Sequence, residues 1–293
     1  MILITGFTGN TGRLVLKKLA ATEKPQNLIG ISRTALKENP FGIISEVGDL
    51  NDFDFLNKLF SKYPINSIIH IANIRYSPSI LNKANEYGVE KVVLIHTTGV
   101  YSKYRSYNAL YQEIEEKIMK MSYPHTNYII LRPTMIYGNH RDHNMHKLIK
   151  FINTIPVFPV FGDGSALMQP VHVEDLASAT ISAHNSKYIN NEDFVLSGGS
   201  VVTYKEVITT IKDELGKKTK LFYIPIKLAV FGAGILSKMF SKPIISVEQV
   251  KRLQEDKAYP NEKARKLLNY NPRSFNEGIV QEINLLREKG IIK

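Results

Sequence analysis

The chain has 293 residues, enough for about two domains of roughly 150 residues or for one large α/β unit with an appendage. Its content of 43% hydrophobic and 22% charged residues excludes a disordered or collagen-like polymer. Cysteine is absent, which removes disulfide scaffolds, thiolate-bound zinc, iron–sulfur clusters and cysteine nucleophiles, and agrees with a reducing cytosol. Thirty-eight basic residues against 27 acidic ones give a net charge of +11, which favours anionic partners. The basic residues are dispersed, with no run of five, so no nucleic-acid partner is expected. Met1 leads straight into a short apolar run without a basic n-region or cleavage site, so no signal peptide and a cytoplasmic location are expected.

Short β-branched runs recur through the first half, at residues 2–5, 28–32, 43–47, 67–71, 92–96 and 128–132. They are apolar at successive positions, as in strands covered on both faces. Helical stretches lie between several of them, at 12–21, 52–62, 79–88 and 106–122. Strand–helix–strand repetition of this length predicts parallel pairing through right-handed crossovers, and so a doubly wound α/β sheet. Residues 139–168, with Pro156, Pro159, Gly162 and Gly164, read as helix plus loop; 173–184 read as a helix and 193–196 as a further strand. From Thr203 helices dominate, interrupted at 221–224 and closed by an amphipathic stretch at 276–289. The apolar stretch 223–240 carries Lys227 and Lys238, and its uncharged interior falls short of the roughly 20 residues that span a bilayer. It reads as a buried or surface-lying helix, and membrane association is not expected.

The first strand ends in Thr5-Gly6-Phe7-Thr8-Gly9-Asn10-Thr11-Gly12 and runs directly into a helix. In that context a glycine triplet suits a dinucleotide. Gly6 allows the tight turn, Gly9 lets the backbone approach a pyrophosphate, and Gly12 lets the helix pack on the sheet. The free N–H groups of Thr8, Asn10, Thr11 and their neighbours then face the phosphates. The GxxGxxG spacing behind a leading threonine resembles the short-chain dehydrogenase/reductase superfamily, in its extended and atypical branches.

The end of the second strand bears on the choice of cofactor. A carboxylate there would accept bonds from the adenosine ribose of NAD. Here it reads Ile31-Ser32-Arg33-Thr34, and a guanidinium can pair with a 2′-phosphate and stack on adenine. NADP(H) is therefore favoured, with NAD(H) open, and a solvated surface cation is the plain alternative for Arg33. Gly48-Asp49-Leu50 follows the third strand. The resemblance implies that Asp49, with Leu50 beside it, contacts the adenine, and that Ile71-Ala72-Asn73 backs the phosphate and ribose side.

The superfamily's reductases and epimerases use a Ser or Thr hydroxyl, a tyrosine, and a lysine four residues after it. The lysine helps the phenol, of pKa about 10, to act near neutrality. His96-Thr97-Thr98-Gly99-Val100-Tyr101-Ser102 is similar to the family's Ser-Ser-x-x-Val-Tyr-Gly stretch, which implies the hydroxyl role for Thr97. Next comes Tyr107-Asn108-Ala109-Leu110-Tyr111-Gln112-Glu113-Ile114-Glu115. Setting Glu115 at the glutamate of the family helix puts Tyr107 at the tyrosine and Tyr111 where lysine belongs. The other register makes Tyr111 the catalytic tyrosine and puts Glu115 at the lysine, where a carboxylate would raise the phenol's pKa. Lys103 and Arg105 lie close in sequence as other cations. Tyr101, Tyr104, Tyr107 and Tyr111 also recur at helical spacing, so a packed aromatic stripe stands against a catalytic role.

Leu131-Arg132-Pro133-Thr134-Met135-Ile136-Tyr137-Gly138 resembles the extended family's LRPxxxYG element, which implies that Pro133 and Met135 lie beside the nicotinamide. Gln169-Pro170-Val171-His172-Val173-Glu174-Asp175-Leu176-Ala177 is similar to its PVHVxDLA segment, with Asp175 favouring the positive end of a helix dipole. The stretch from Lys263 to Phe275 also looks familial. Over nearly the whole chain the resemblance is to the NAD-dependent epimerase/dehydratase family. His140, His143 and His146 are spaced three apart, but on a helix residues i and i+6 lie about 240° apart, so no metal site is expected.

These readings imply a doubly wound Rossmann sheet with a smaller C-terminal substrate domain. The expected division is 1–134 plus about 169–198 for the cofactor domain, and 135–168 plus 199–293 for the substrate domain. The implied activity is an NAD(P)H-dependent oxidoreductase or epimerase/dehydratase acting on a nucleotide sugar or similar substrate. The alternative is a cofactor-binding redox sensor or assembly subunit with little or no turnover. Docking of the basic surface and the 223–240 helix on lipid is the weakest reading. Related proteins pair through two sheet-domain helices, which implies a homodimer.

Overall fold

The β-branched runs extend into strands because helices cover both of their faces. The protein was described in a computed structural model that covers residues 1–103, 108–142, 144–239 and 246–293. Its central sheet has seven strands: β1 (Ile2–Thr5), β2 (Leu28–Ser32), β3 (Ile44–Val47), β4 (Ser67–His70), β5 (Lys91–Ile95), β6 (Asn127–Pro133) and a last strand, Glu192–Leu196. The spatial order is Glu192–Leu196, β6, β5, β4, β1, β2, β3, and every neighbouring pair is parallel. The strand order thus reverses between β1 and β4, which opens a crevice at the carboxyl ends of the strands. This is the α/β doubly wound Rossmann sheet that the sequence predicts.

The helices α1 (Asn10–Leu19), α2 (Phe53–Lys62), α3 (Ser77–Glu86), α4 (Asn108–Lys120), α5 (Met145–Thr154) and α6 (Val173–Asn185) follow in chain order. After them come α7 (Tyr204–Glu214), α8 (Ile226–Met239), α9 (Val247–Arg252), α10 (Glu262–Leu268) and α11 (Phe275–Glu288). Alternate residues of each strand feed opposite faces. Leu3, Ile68, Val92 and Leu94 pack with Leu56 of α2, Leu81 of α3 and Ile118 of α4. On the other face Ile4 and Ile69 pack with Val15 of α1, while Val93 and Ile129 pack with Leu176 of α6 and Leu268 of α10. A further hydrophobic cluster joins Tyr137, Ile149 of α5, Val207 of α7 and Ile283 of α11.

Most element bounds agree with the predicted ones to within two residues, the differences falling mainly at caps. The exception is α8, which begins at Ile226 because Tyr223 and Ile224 belong to the preceding strand and Pro225 follows it. Asp52 lies outside α2 and caps it, its Oδ1 accepting from the N–H groups of Asp54 and Phe55 at 3.0 Å each. One reading is corrected. Residues 139–168 hold α5 but also the strand Val157–Phe161, which pairs in parallel with Lys220–Ile224. Pro156 and Pro159 look like loop residues because they lack an N–H. A two-stranded ribbon leaves each strand an unpaired edge, where a proline costs little.

Candidate functional site

The turns that leave β1, β2, β3 and β4 converge on a cavity of about 470 Å³. From the first turn come Gly6, Thr8 and Gly9; from the second, Ser32 and Arg33; from the third, Gly48, Asp49 and Leu50; and from the fourth, Ile71, Ala72 and Asn73. The first turn can form only with glycine at two points. Gly6 has φ +72°, and a Cβ there would lie 2.8 Å from the backbone nitrogen of Ala72. A Cβ on Gly12 would lie 2.2 Å from the Gly6 carbonyl oxygen and 2.6 Å from Phe7 Cα, so α1 packs directly on the loop that precedes it.

The amino terminus of α1 lies against the cavity. Its N-cap, Gly9, offers no side-chain acceptor, and the first turn holds no acidic residue. The first amides of the helix, with the positive end of its dipole, are thus left for an anion. Asn10 turns away, its Nδ2 donating to the Arg141 carbonyl at 2.8 Å, and Thr11 is buried.

Behind the cavity, Thr5 at the end of β1 and His70 at the end of β4 hold the first and fourth turns in register. The Asn73 carbonyl accepts from His70 Nε2 at 3.3 Å, so Nδ1 is the ring acceptor and takes the Thr5 hydroxyl proton at 2.7 Å. Burial, and then the nearby His96, push the His70 pKa down to about 3. A neutral imidazole therefore fixes the two turns.

At the open rim, Ser32 Oγ donates to the Thr34 carbonyl at 2.6 Å, and Arg33 is exposed. Asp49 is exposed too, with one carboxylate oxygen accepting from Asn51 N–H at 2.9 Å. Asn73 caps a single turn, Ile74–Tyr76, by accepting from Arg75 N–H at 3.0 Å. That turn carries Tyr76 into the cavity lining. Sequence reasoning missed Tyr76, for which no motif gave a signal, and it passed over Ile31 and Gly48, which border residues it did select.

The other selected residues lie elsewhere. Pro133 ends β6, and its carbonyl accepts from the Thr98 hydroxyl at 3.2 Å. Met135 packs on the cluster around Tyr137. Neither lines the cavity. Thr97 caps the turn Thr98–Tyr101, its hydroxyl oxygen accepting from Gly99 N–H at 3.0 Å. Tyr107 falls outside the described residues, as do Tyr104, Arg105 and His143. Tyr111 is 9% exposed and packs with Ile74, Val100 and Ile114. Gln112 ties α4 to the same turn by donating to the Val100 carbonyl at 2.8 Å. The helical spacing that Tyr101 shares with Tyr111 does not put it on α4: Tyr101 sits on the separate turn before that helix, its ring 5.4 Å from that of Tyr259.

A buried polar chain runs along the carboxyl ends of β5 and β6. His96 Nδ1 donates to Glu115 at 2.8 Å, and its Nε2 accepts from the Ser77 hydroxyl at 3.0 Å. Arg132 donates to both oxygens of Glu115 and reaches Asp193. Burial raises the Glu115 pKa, but the bonds from His96 and Arg132 outweigh it and hold the carboxyl below its ordinary value. Glu115 and Arg132 stood in the sequence as parts of two separate motifs, and nothing there joined them.

Asp175, expected at a helix start, lies in the first turn of α6 and also receives Arg273 Nε at 3.1 Å. His140 and His146 do not share a helix, because α5 begins at Met145. Among the described residues no three His, Cys, Asp or Glu side chains are grouped to hold a metal, and no helix is long and apolar enough to cross a membrane.

Comparison with known proteins adds three findings. The sequence model of the NAD dependent epimerase/dehydratase family matches residues 2–197. A UDP-glucuronate 4-epimerase of Thermodesulfobacterium geofontis is 24% identical over 277 residues, spanning 82% of this chain and 78% of that protein. Two solved structures share the fold at 18% identity. UDP-glucose 4-epimerase of Thermotoga maritima, solved with UDP-glucose, has a TM-score of 0.76 over 98% of this chain and 99% of its own. The Thermus thermophilus UDP-glucose 4-epimerase complex with NAD has a TM-score of 0.71 over 98% of each chain.

Proposed function

Since the chain belongs to the NAD-dependent epimerase/dehydratase family, we propose that it is an NADP(H)-dependent oxidoreductase or epimerase acting on a nucleotide sugar or a similar carbonyl or hydroxyl substrate. The observation that carries this reading is the cavity walled by the glycine turn and the uncapped start of α1. Main-chain amides there suit a pyrophosphate, and the space a Cβ would fill at Gly9 remains open apart from the Gly6 carbonyl at 3.3 Å. Asp49 and Leu50 suit the adenine side, and Ile71, Ala72 and Asn73 the opposite wall. The exposed Arg33, at a strand end without a carboxylate, suits a 2′-phosphate. A nucleotide-sugar substrate is supported by the similarity to a UDP-glucuronate 4-epimerase.

When bound, the nicotinamide exchanges hydride with a substrate carbon. The Thr97 hydroxyl and the Tyr107 phenol hold the substrate oxygen and move its proton. The pairing of Glu115 with Arg132 supports the register that gives Tyr107 this role, since the carboxylate is already engaged. Residues 1–134 with 169–198 form the cofactor domain, and the remainder forms the substrate domain.

Calorimetric titration with NADP+ and NAD+ tests the cofactor reading. Arg33→Ala should weaken NADP+ by about tenfold or more, the range of one or two charge-assisted bonds, and leave NAD+ nearly unchanged. Equal losses for both would remove the 2′-phosphate contact, and no heat with either would remove the whole proposal. A second reading, cofactor binding with little turnover, is favoured by the tyrosine at position 111, where the family resemblance places a lysine. Consumption of NADPH with UDP-4-keto sugars, abolished in Tyr107→Phe, would decide for the enzyme.

A further inference from the structure

We propose that α8 is a docking helix that seats the protein on an anionic phospholipid surface. One side of α8 is anchored: Ala229 and Ala233 are buried against Val250 of α9, with Val230, Val247 and Phe161 packed around them. The other side carries Leu228, Phe231, Ile235 and Met239 at exposures of 63%, 68%, 43% and 69%. Their spacing of three, four and four residues places them within an arc of about 80°. Phe222 and Tyr223, on the strand that leads into the helix, are exposed as well. Isolated apolar tips on a surface carry little information, but a continuous stripe on one helix face marks an interaction surface.

Charge selects the occupant. Between Glu214 and Glu248 the chain has six lysines, Lys217, Lys218, Lys220, Lys227, Lys238 and Lys242, and no acidic residue. Lys218, Lys220 and Lys227 are exposed. A second copy of this chain meeting the stripe across a two-fold axis would bring the same lysines together and repel. A sheet of lipid phosphates and carboxylates would satisfy them while accepting the apolar tips. The described 14 residues of α8 are about 21 Å long, shorter than a hydrocarbon core of about 30 Å. An amphipathic helix of this length and charge lies in the plane of the headgroups. The inference does not depend on the cofactor or substrate.

Flotation of the full chain with vesicles is the test. Vesicles of phosphatidylserine and phosphatidylcholine should carry the protein upward, and vesicles of phosphatidylcholine alone should not. High salt should weaken the association. The variant Leu228→Ser/Phe231→Ser/Met239→Ser should lose about tenfold or more in partitioning. Lys218→Gln/Lys220→Gln/Lys227→Gln, which leaves the apolar stripe intact, should lose a similar amount and reduce the salt dependence. A wild-type chain that stays with the soluble fraction overturns the proposal, as does equal binding to both vesicle types or binding unaltered in both variants. A lipid-free dimer in sedimentation velocity that the serine variant dissolves would assign the face to a second copy and overturn it too.

Discussion

Arg132 Nε, on β6, donates to both carboxylate oxygens of Glu115, on α4, at 3.1 and 2.9 Å, and both side chains are buried. The contact crosses from the sheet to the helix that precedes β6. Removing Glu115 leaves the buried Arg132 with Asp193 as its remaining carboxylate, on one edge of the guanidinium only, and the cost of that exceeds the value of the pair itself. Glu115→Ala should destabilise the protein by about 3–5 kcal/mol, read by urea unfolding. The double replacement Glu115→Leu with Arg132→Met should cost clearly less than the sum of the single changes. Simple additivity would mean that the two groups do not act as a pair.

Acid should unfold the chain through histidines that it buries neutral. Burial, then His96, takes His70 to about 3; burial, then Arg273, takes His172 to about 4. A lowered histidine pKa means that the unfolded chain binds protons first. Their contribution is therefore complete above the ordinary value of 6.5 and is lost as pH falls from there through the folded values. Urea midpoints between pH 7 and pH 4 should fall steadily, and His70→Gln should flatten that slope. An unchanged slope would place the acid sensitivity elsewhere.

Glu282 behaves in the opposite sense. It is fully buried on α11, where its Oε2 accepts from Gly138 N–H at 2.8 Å. Burial, then the Asp142 carboxyl beside it, raises its pKa to about 10. A carboxyl with a raised folded pKa contributes fully below its ordinary value of 4.5, and that contribution drains away as pH rises towards 10. Glu282→Gln keeps an acceptor for Gly138 and has no proton to lose. It should raise the melting temperature at pH 8 by about 2–4 °C for each kcal/mol recovered, and by much less at pH 5. Equal effects at the two pH values would show that the carboxyl is not held protonated.

The glycine turn separates shape from binding. At Gly12 an added methyl group meets backbone at 2.2 Å, whereas at Gly9 the nearest atom is the Gly6 carbonyl oxygen at 3.3 Å. Gly12→Ala should lower the melting temperature and abolish nucleotide binding together. Gly9→Ala should melt near the wild type while binding either dinucleotide at least about tenfold more weakly, because its methyl group occupies the approach to the pyrophosphate. Comparable melting losses in both would contradict the packing at Gly12.

The sheet was legible because burial on both faces makes its inner strands largely apolar at successive positions, visible at 28–32 without knowledge of its neighbours. The glycine turn was legible for the same local reason, since its demand falls on the backbone of seven consecutive residues. Val157–Phe161 was not, because its partner begins at Lys220 and Pro159 within it, with Pro156 just before it, imitates a loop. Tyr76 was equally hidden: it reaches the cavity only through the turn capped by Asn73.

From the amino-acid order alone came the doubly wound class and the residues that suit a dinucleotide, since strand burial and loop conformation are set by near neighbours along the chain. Three-dimensional packing decided the rest. It joined Glu115 to Arg132, buried Tyr111 against Val100, and left the stripe from Leu228 to Met239 facing outward. Each of these depends on which surfaces meet across long sequence separations, and periodicity within one segment carries no record of what lies opposite it.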